Sequence, residues 1–544
     1  MANAYSQTLM GFQLFDKEIS GPFTIPSGVM VTKPSMIRRL FEIPEIGIVT
    51  TKSISFHKKQ GNREPIIAEY GFGSFINAVG LENPGAVEFA KQLKKIKIPD
   101  DRFLLASVFG RDEKEFALAC EELLNYVDGF ELNISCPHST EYGLSIGKDL
   151  ALVKKIVEKV SSLQKPVFVK LPPTVDVEAT VTVSMKAGAR GITAINSEGP
   201  KLSPSYEGIP ILFNKFGGVS GKAILDLGVS VVKKVRRVTR APIIACGGIS
   251  TARDVLRYSK AGANFYGIGS ALAGMKHAEV KEYFHALYED VVNGTNNAES
   301  YLKKNLRMSY EKFKVEHRRL LANDLFIIQT DKSIKAEPGQ FVFVMLPGIG
   351  EKPFSVLDDE PLSLLVKIRG KFTKALHSLK KGDHIYVRGP YGNSLNISKS
   401  DSLLLVGGGT GIAALYLFAK RNNHAVAVLG ASDYSHLAYV DEFEKECQEV
   451  YKVTETGEIG VKGLVTDLLD DVIEKHDPKY CINCGPEPMV RQAIKKESKT
   501  VPLERIYSSI EMITKCGIGL CGSCVTSQGY RSCVDGTFFN PQDL

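Results

Sequence analysis

Gly129-Phe130-Glu131-Leu132-Asn133-Ile134-Ser135-Cys136-Pro137-His138 is the stretch on which the reading of this chain turns. A strand-like apolar run is closed by Asn133, and three residues on a cysteine stands just before a proline that stops regular structure. The layout places one thiol on a loop at a strand end. There, neighbouring cations favour the thiolate and make it a nucleophile or base, whereas a core cysteine is an inert small hydrophobe. Both readings stay open on the stretch alone, so the decision falls to what surrounds it.

Seven other runs share its grammar: Phe23 to Ser27, Gly47 to Lys52, Phe103 to Phe109, Val167 to Leu171, Gly191 to Asn196, Pro242 to Cys246 and Asn264 to Ile268. Longer amphipathic stretches separate them, the rhythm of parallel strands joined by crossover helices. With Gly129 to Asn133 they make eight, the number that closes a (β/α)8 TIM barrel, whose active site lies at the C-terminal strand ends. Those ends are polar: Ser27-Gly28, Lys52-Ser53, Ser107, Asn133, Lys170, Asn196-Ser197, Gly247-Gly248 and Gly269-Ser270. Taken singly, the lysines read equally as solvated strand ends and the glycines as plain turns. Taken together they ring one mouth. Gly247-Gly248 and Gly269-Ser270 offer backbone N–H groups ahead of helices to a phosphate. Lys170 supplies a fixed cation that stabilises a reduced, negative ring. The loop Asn77-Ala78-Val79-Gly80-Leu81 is placed to grip a small polar ring, and Gly217-Gly218-Val219-Ser220-Gly221 admits close approach for want of side chains.

Length and composition fit this picture. A chain of 544 residues holds several domains, and its net charge of +7 is spread without basic runs interleaved with aromatics, which argues against nucleic acid. No window reaches the length of a membrane span and the first ten residues lack a signal-peptide layout, so a cytoplasmic protein is expected. Ten cysteines in so long a chain do not form a disulfide framework.

Past Asn293-Gly294-Thr295-Asn296-Asn297 the rhythm changes. From Phe313 to about Ile397, short alternating segments with closely spaced turns predict a small antiparallel barrel. Leu403-Leu404-Leu405-Val406 then runs into Gly407-Gly408-Gly409-Thr410-Gly411 and a predicted helix, the layout of a dinucleotide pyrophosphate site, although such turns also occur without a ligand. Asp433, after the next strand, favours NAD over NADP by repelling a 2′-phosphate. Cys516-x4-Cys521-x2-Cys524 with Cys533 beyond follows the plant-type 2Fe–2S pattern, and Gly517, Gly519 and Gly522 let backbone wrap a cluster; a structural zinc is the alternative.

Thr51-Lys52-Ser53, Asn77 to Leu81, Asn133 through Cys136-Pro137, Lys170-Leu171-Pro172-Pro173, Asn196-Ser197, Gly217 to Gly221 and Gly247-Gly248 resemble, in order, the motifs of class 1 dihydroorotate dehydrogenases. The resemblance covers residues 1–300 and implies FMN in the barrel, with Ser27, Gly28, Lys52, Ser53, Ser107, Asn133, Lys170, Ile195, Gly221, Gly247, Gly248, Gly269 and Ser270 around it. It implies Cys136 as the base at C5 of dihydroorotate while hydride leaves C6. Lys52, Asn77 to Leu81, Asn133, Asn196 and Ser197 would hold the substrate. Cysteine rather than serine at 136 resembles the soluble class, and a homodimer through the barrel is expected.

Lys352-Pro353-Phe354-Ser355, the Gly407 to Gly411 turn and Cys484-Gly485-Pro486 resemble the ferredoxin reductase superfamily, and the cysteine-bearing tail is similar to the electron-transfer subunit of the NAD-linked (class 1B) dihydroorotate dehydrogenases. That implies an FAD-binding β-barrel over 310–397, using Lys352 to Ser355, Val366, Lys367, Ile368 and Thr373. It also implies an NAD-binding α/β domain over 398–505 and a cluster domain over 506–544. Two departures stand out. Lys352 replaces the family's arginine, a forked pyrophosphate ligand, and Phe372 replaces the glycine before Thr373. The implied whole is a catalytic subunit fused to its electron-transfer subunit, passing electrons from dihydroorotate through FMN, cluster and FAD to NAD. Dihydropyrimidine oxidation on a similar barrel, a non-NAD acceptor, and an electron-transfer module with the barrel as docking domain remain as alternatives. Dihydroorotate against dihydrouracil assays separate the first from the main reading, and an orotate-induced change in the flavin spectrum argues against the last.

Overall fold

The computed structural model describes residues 12–134 and 146–544. The loop carrying Cys136 lies outside the described residues. The chain divides into two compact units, one of residues up to Leu306 with Ile518–Gly522, the other Arg307–Gly517 with Ser523–Leu544.

In the first unit all eight expected runs are strands: Phe23–Ile25, Ile46–Thr50, Phe103–Val108, Gly129–Asn133, Val167–Leu171, Gly191–Ala194, Ile243–Cys246 and Phe265–Gly267. They pair in parallel in that order, and the eighth closes on the first, Tyr266 opposite Phe23. Each is buried on both faces by barrel interior and outer helices, which is why the sequences are near-continuous apolar runs rather than alternating ones. The helix Leu150–Ser161 shows the complementary pattern. Asp149 caps it by accepting from the Leu152 N–H (3.0 Å), and Val153, Ile156, Val157 and Val160 form its buried stripe.

A hairpin, Phe12–Leu14 with Lys17–Ile19, packs Leu14 and Ile19 on Phe103 and Phe265, the first residues of their strands. It closes the N-terminal end of the barrel and leaves the other end for a site. The loops after the second and sixth barrel strands rise from that other end as one antiparallel sheet, in the order Glu198–Leu202, Phe216–Gly221, Ser74–Asn77, Ile67–Gly71.

The second unit holds two sheets. The expected small antiparallel barrel is a seven-stranded antiparallel sheet that curls over one core containing Phe313, Phe326, Val342, Leu364 and Val387. Its order ends on Gly350–Ser355 and Asp358–Asp359, so among the described residues the ladder does not close. A long strand, Glu311–Ala322, serves both halves by pairing with His384–Tyr391 first and Leu325–Thr330 after a register shift at Val315/His317. The other sheet is six-stranded and parallel, ordered Val461–Lys462, Glu449–Thr454, Ala425–Ala431, Leu403–Gly408, Tyr480–Cys484, Ile506–Ser509. Leu325, Ile327 and Leu365 of the first sheet share a core with Leu403, Leu405 and Phe538, so residues 310–397, 398–505 and the tail pack within one unit.

Candidate active site and nucleotide site

At the C-terminal end of the barrel the polar strand ends are wired to one another. The Ser53 hydroxyl meets those of Ser27 (3.0 Å) and Ser107 (2.9 Å) and accepts from Asn133 Nδ2 (3.1 Å). Asn133 Oδ1 in turn accepts from Asn196 Nδ2 (3.2 Å), and Asn196 Oδ1 from the Ser197 N–H (2.8 Å). Five of the eight strand ends are thus linked, each side chain oriented by a neighbour. Lys52 and Asn133 are each 7% exposed, so the network borders the mouth without being open to bulk water.

Lys170 is 5% exposed, and its ammonium lies 3.5 Å from Glu131 Oε1 on the neighbouring strand. Glu131 is 1% exposed and that oxygen has no hydrogen-bond partner. Glu131 received no role from the sequence, where it is one more residue of an apolar run. Its signal was a charge inside a strand buried on both faces, which demands a partner. Cys246, across the barrel, is pushed up to about 12 by burial, which Lys170 opposes.

The turn after the seventh strand requires glycine. Gly247 and Gly248 have φ of +123° and +76°, and a Cβ at Gly248 would stand 2.8 Å from the Gly221 carbonyl oxygen. Tyr258 fastens the turn, its hydroxyl donating to the Gly247 carbonyl (2.8 Å). The next helix, Ala252–Ala261, is closed by a capping box in which Asp254 accepts from the Ser250 and Thr251 N–H groups (3.1 Å each). The donors considered for a phosphate are the N–H groups of Gly247 and Gly248, in the turn ahead of that helix. Gly248 and Ser270 line a small open hollow of about 40 Å³ together with Lys222, Lys303 and Lys304. A glycine cradle beside Lys222 and Lys304, with Lys303 paired to Glu279, fits a flavin phosphate.

Asn77 lies away from this network, at the end of Ser74–Asn77, where its Nδ2 donates to the Gly218 carbonyl (3.3 Å). The loop that follows is pinned by Asn62, whose Nδ2 donates to the Ala78 carbonyl (3.0 Å) and whose N–H donates to the Val79 carbonyl (3.0 Å). Gly80 (φ +83°) packs on Asn62, leaving no room for a Cβ, and Leu81 also has positive φ. Gly28 (φ +90°) and Gly269 continue the first and eighth strands, and Ile195, 3% exposed, donates its N–H to the Cys246 carbonyl (2.9 Å).

In the second unit, Leu403–Gly408 and Tyr480–Cys484 lie side by side although the chain runs outward from the former through three other strands before returning to the latter. This is a topological switch point, the crevice at which open parallel sheets bind ligands. Gly407 to Gly411 and Cys484-Gly485-Pro486 follow directly from these two strand ends. They touch: a Cβ at Gly411 would fall on the Cys484 carbonyl, and one at Gly408 on Met489. Gly409 (φ +55°) faces open space. The expected helix after the turn is a 3₁₀ segment, Gly409–Ala414, and then a short helix, Tyr416–Lys420, so the cradle rests on bare amides more than on a helix dipole. Asp433 caps the 3₁₀ turn Tyr434–His436 and accepts from Ser435 (2.6 Å); that hydroxyl, with His436 at 2.8 Å, holds its carboxyl far below the usual range.

Lys352, Pro353, Phe354 and Ser355 form the edge strand Gly350–Ser355, with Lys352 exposed. Val366 and Lys367 end Leu362–Lys367 across the core from it, and Ile368 follows; Val366 is wholly buried. Phe372, where a glycine was expected, turns inward (4% exposed) and stacks on Phe354 at 6.3 Å. Thr373 Oγ1 accepts from the Gly370 N–H (3.1 Å) and closes the start of the helix Lys371–Ser378.

Three of the C-terminal cysteines, Cys516, Cys524 and Cys533, are buried and hydrogen-bonded through their thiols, which raises Cys533 and lowers Cys524. Among the described residues no three such side chains stand open as a metal site. Gly517 (φ +81°) packs against Phe343 and Tyr391. Arg388 donates to the Cys516 carbonyl (3.1 Å) while paired twice with Glu351 (2.7 Å each), both wholly buried. Cys521 belongs to the segment grouped with the barrel, where its carbonyl accepts from Thr32 (2.7 Å). Thiolates are the donor type that iron–sulfur clusters and structural zinc take, and Cys516, Cys524 and Cys533 supply three of them within the second unit.

The dihydroorotate dehydrogenase family model matches residues 10–286, and an oxidoreductase FAD-binding domain model matches residues 314–395. The chain is 38% identical over 47% of its length to the catalytic subunit of dihydroorotate dehydrogenase B (NAD(+)) of Methanocaldococcus jannaschii, covering 84% of that protein. It is 37% identical over 41% of its length to the probable electron transfer subunit of the same enzyme in Thermococcus kodakarensis, covering 93% of it. A solved NADH-dependent reduced ferredoxin-NADP oxidoreductase matches 42% of the chain and 88% of its own at 34% identity and a TM-score of 0.39. The first unit's closed barrel with a polar C-terminal mouth defines a (β/α)8 fold with its candidate site at the C-terminal strand ends. The chain belongs to the dihydroorotate dehydrogenase family.

Proposed function

We infer that this chain oxidises dihydroorotate to orotate, a step of pyrimidine biosynthesis, and delivers the electron pair to NAD from within one polypeptide. The observation that carries this is that a single chain spans most of the length of both a catalytic subunit and an electron-transfer subunit of the NAD-linked enzyme. The balance is one proton lost from C5, one hydride from C6, and NADH formed. Bound FMN would supply a hydride acceptor at the barrel mouth, and a 2Fe–2S cluster and FAD would supply the electron relay to NAD.

The chain's own residues do the rest. Cys136 takes the C5 proton, an effect of about 10²- to 10⁴-fold. Asn133 and Asn196, each fixed by a neighbour, present amides to the substrate ring, with Lys52 and Ser197 for its carboxylate and Asn77 to Leu81 as the flanking loop. Lys170 holds positive charge beside the flavin ring, where Glu131 keeps it in place. Gly247, Gly248, Gly269 and Ser270 donate amides to the phosphate, with Ser27, Gly28, Ser53, Ser107, Ile195 and Gly221 completing the pocket. FAD lies along Lys352 to Ser355, Val366 to Ile368 and Thr373. The pyridine nucleotide lies between Gly407 to Gly411 and Cys484 to Pro486. Cys516, Cys521, Cys524 and Cys533 ligate the cluster. Domains of 1–300, 310–397, 398–505 and 506–544, a homodimer through the barrel and a cytoplasmic location belong to this reading. No helix among the described residues is long and apolar enough to cross a membrane. The test mixes purified protein carrying flavin and iron with dihydroorotate in the absence of air. Bleaching of the flavin followed by NADH formation on adding NAD is expected, and an unbleached spectrum refutes the assignment.

A further inference from the structure

Glu497 ends the helix Glu487–Glu497 and is 0% exposed, although a glutamate at a helix C-terminus is ordinarily a surface residue and is disfavoured there by the helix dipole. Its Oε2 accepts from Asn483 Nδ2 at 2.7 Å, and the second hydrogen of that amide goes to Ser508 Oγ at 3.2 Å. Two buried oxygens are left over, Glu497 Oε1 and Asn483 Oδ1, and neither has a partner. Both are acceptors when the carboxyl is ionised, so burying them on two side chains already joined by one hydrogen bond costs their full desolvation. One proton removes the cost of both. Placed on Oε1 and donated to Asn483 Oδ1, it converts a lone contact into a two-bond acid–amide ring.

We propose that Glu497 is held as a neutral acid in a cyclic pair with Asn483, and that this clasp is a positioning element for the nucleotide turn Cys484-Gly485-Pro486. Asn483 is the residue before that turn, and Glu497 ends the helix that begins after it. The clasp therefore ties the helix's far end back to the strand and fixes the angle at which the turn meets Gly411. Ser508 extends the brace to Ile506–Ser509, the next strand of the sheet. The inference rests on the nucleotide reading above for its function, but not for its chemistry.

Burial raises the Glu497 carboxyl to about 7 from an ordinary 4.5, with the Asn483 bond opposing. Cys481, on the same strand as Asn483, faces it and is itself driven up by burial, so it adds no charge. The flanking helix Leu469–His476 contributes Asp470, which is committed to Lys496 (2.8 Å). Because the folded value is raised, the clasp's contribution is whole below the unfolded value and is lost as pH rises through about 7.

Infrared spectroscopy of the full-length protein without nucleotide reads the acid directly. A protonated-carboxyl stretch is expected at pH 6, fading as pH rises and missing in Glu497→Gln. That substitution restores both hydrogen bonds without a titrating proton, so it keeps the wild-type unfolding temperature, whereas Glu497→Ala loses it. The KM for NADH in dye reduction rises with pH in wild type, and Glu497→Gln removes the component centred near 7. Absence of the band at pH 6, or Glu497→Gln unfolding as early as Glu497→Ala, overturns the clasp. An unchanged KM profile in Glu497→Gln overturns its positioning role. A protein that keeps the band but reduces no dye with NADH refutes instead the nucleotide reading on which that role rests.

Discussion

The barrel mouth and the parallel-sheet turn are built on opposite principles. At the mouth, side chains carry the chemistry and hold one another: Ser27, Ser53, Ser107, Asn133 and Asn196 form one hydrogen-bonded chain, and Lys170 is matched by Glu131. At the turn, the useful feature is the side chain that is missing. Gly408 and Gly411 let two loops close on each other, and a methyl at either would displace backbone or Met489. The two sites should accordingly fail in different ways. The mouth is vulnerable to deleting atoms and the turn to adding them.

Cys136→Ala separates the regions most sharply. Dihydroorotate oxidation should fall by about 10²- to 10⁴-fold with NADH-dependent dye reduction intact; parallel loss of both activities in steady-state assays would break the division of labour. Lys170→Ala should destabilise the barrel by about 3–5 kcal/mol by stranding the buried Glu131 charge. Adding Glu131→Gln should recover much of that loss, which a double-mutant cycle of denaturant unfolding measures. If the cycle closes with no coupling, the pair contributes nothing. Gly411→Ala should cost about 1–3 kcal/mol through overpacking and raise the KM for NADH, while flavin bleaching by dihydroorotate stays at the wild-type rate. Smallest is Ser53→Ala, which removes one hydrogen bond from Asn133 Nδ2 at about 1 kcal/mol; the KM for dihydroorotate should rise and NADH oxidation should not change.

The barrel was legible because its signal is local. Eight apolar runs with polar ends declare parallel strands buried on both faces, and all eight fold as read. The glycine turn after Leu403 to Val406 was legible for the same reason, since a backbone that must pass close to another announces itself as glycine. Phe372 shows where local reading ends. In sequence it is a departure from a flavin-binding pattern; in the fold it is a core residue stacked on Phe354. Asp254 is similar, in sequence one more helix residue and in the fold a buried carboxylate that accepts from the Ser250 and Thr251 N–H groups.

The sequence by itself determined the barrel and the order of the segments behind it, because strand periodicity and motif spacing depend on neighbours a few residues away. Only the tertiary structure decided which charges are satisfied. Glu131 and Lys170 are 39 apart in the chain, Glu351 and Arg388 are 37 apart, and Asn483 and Glu497 are 14 apart. A buried ionisable group takes its character from the one atom brought against it, and that atom is chosen by how the strands pack rather than by the residues on either side.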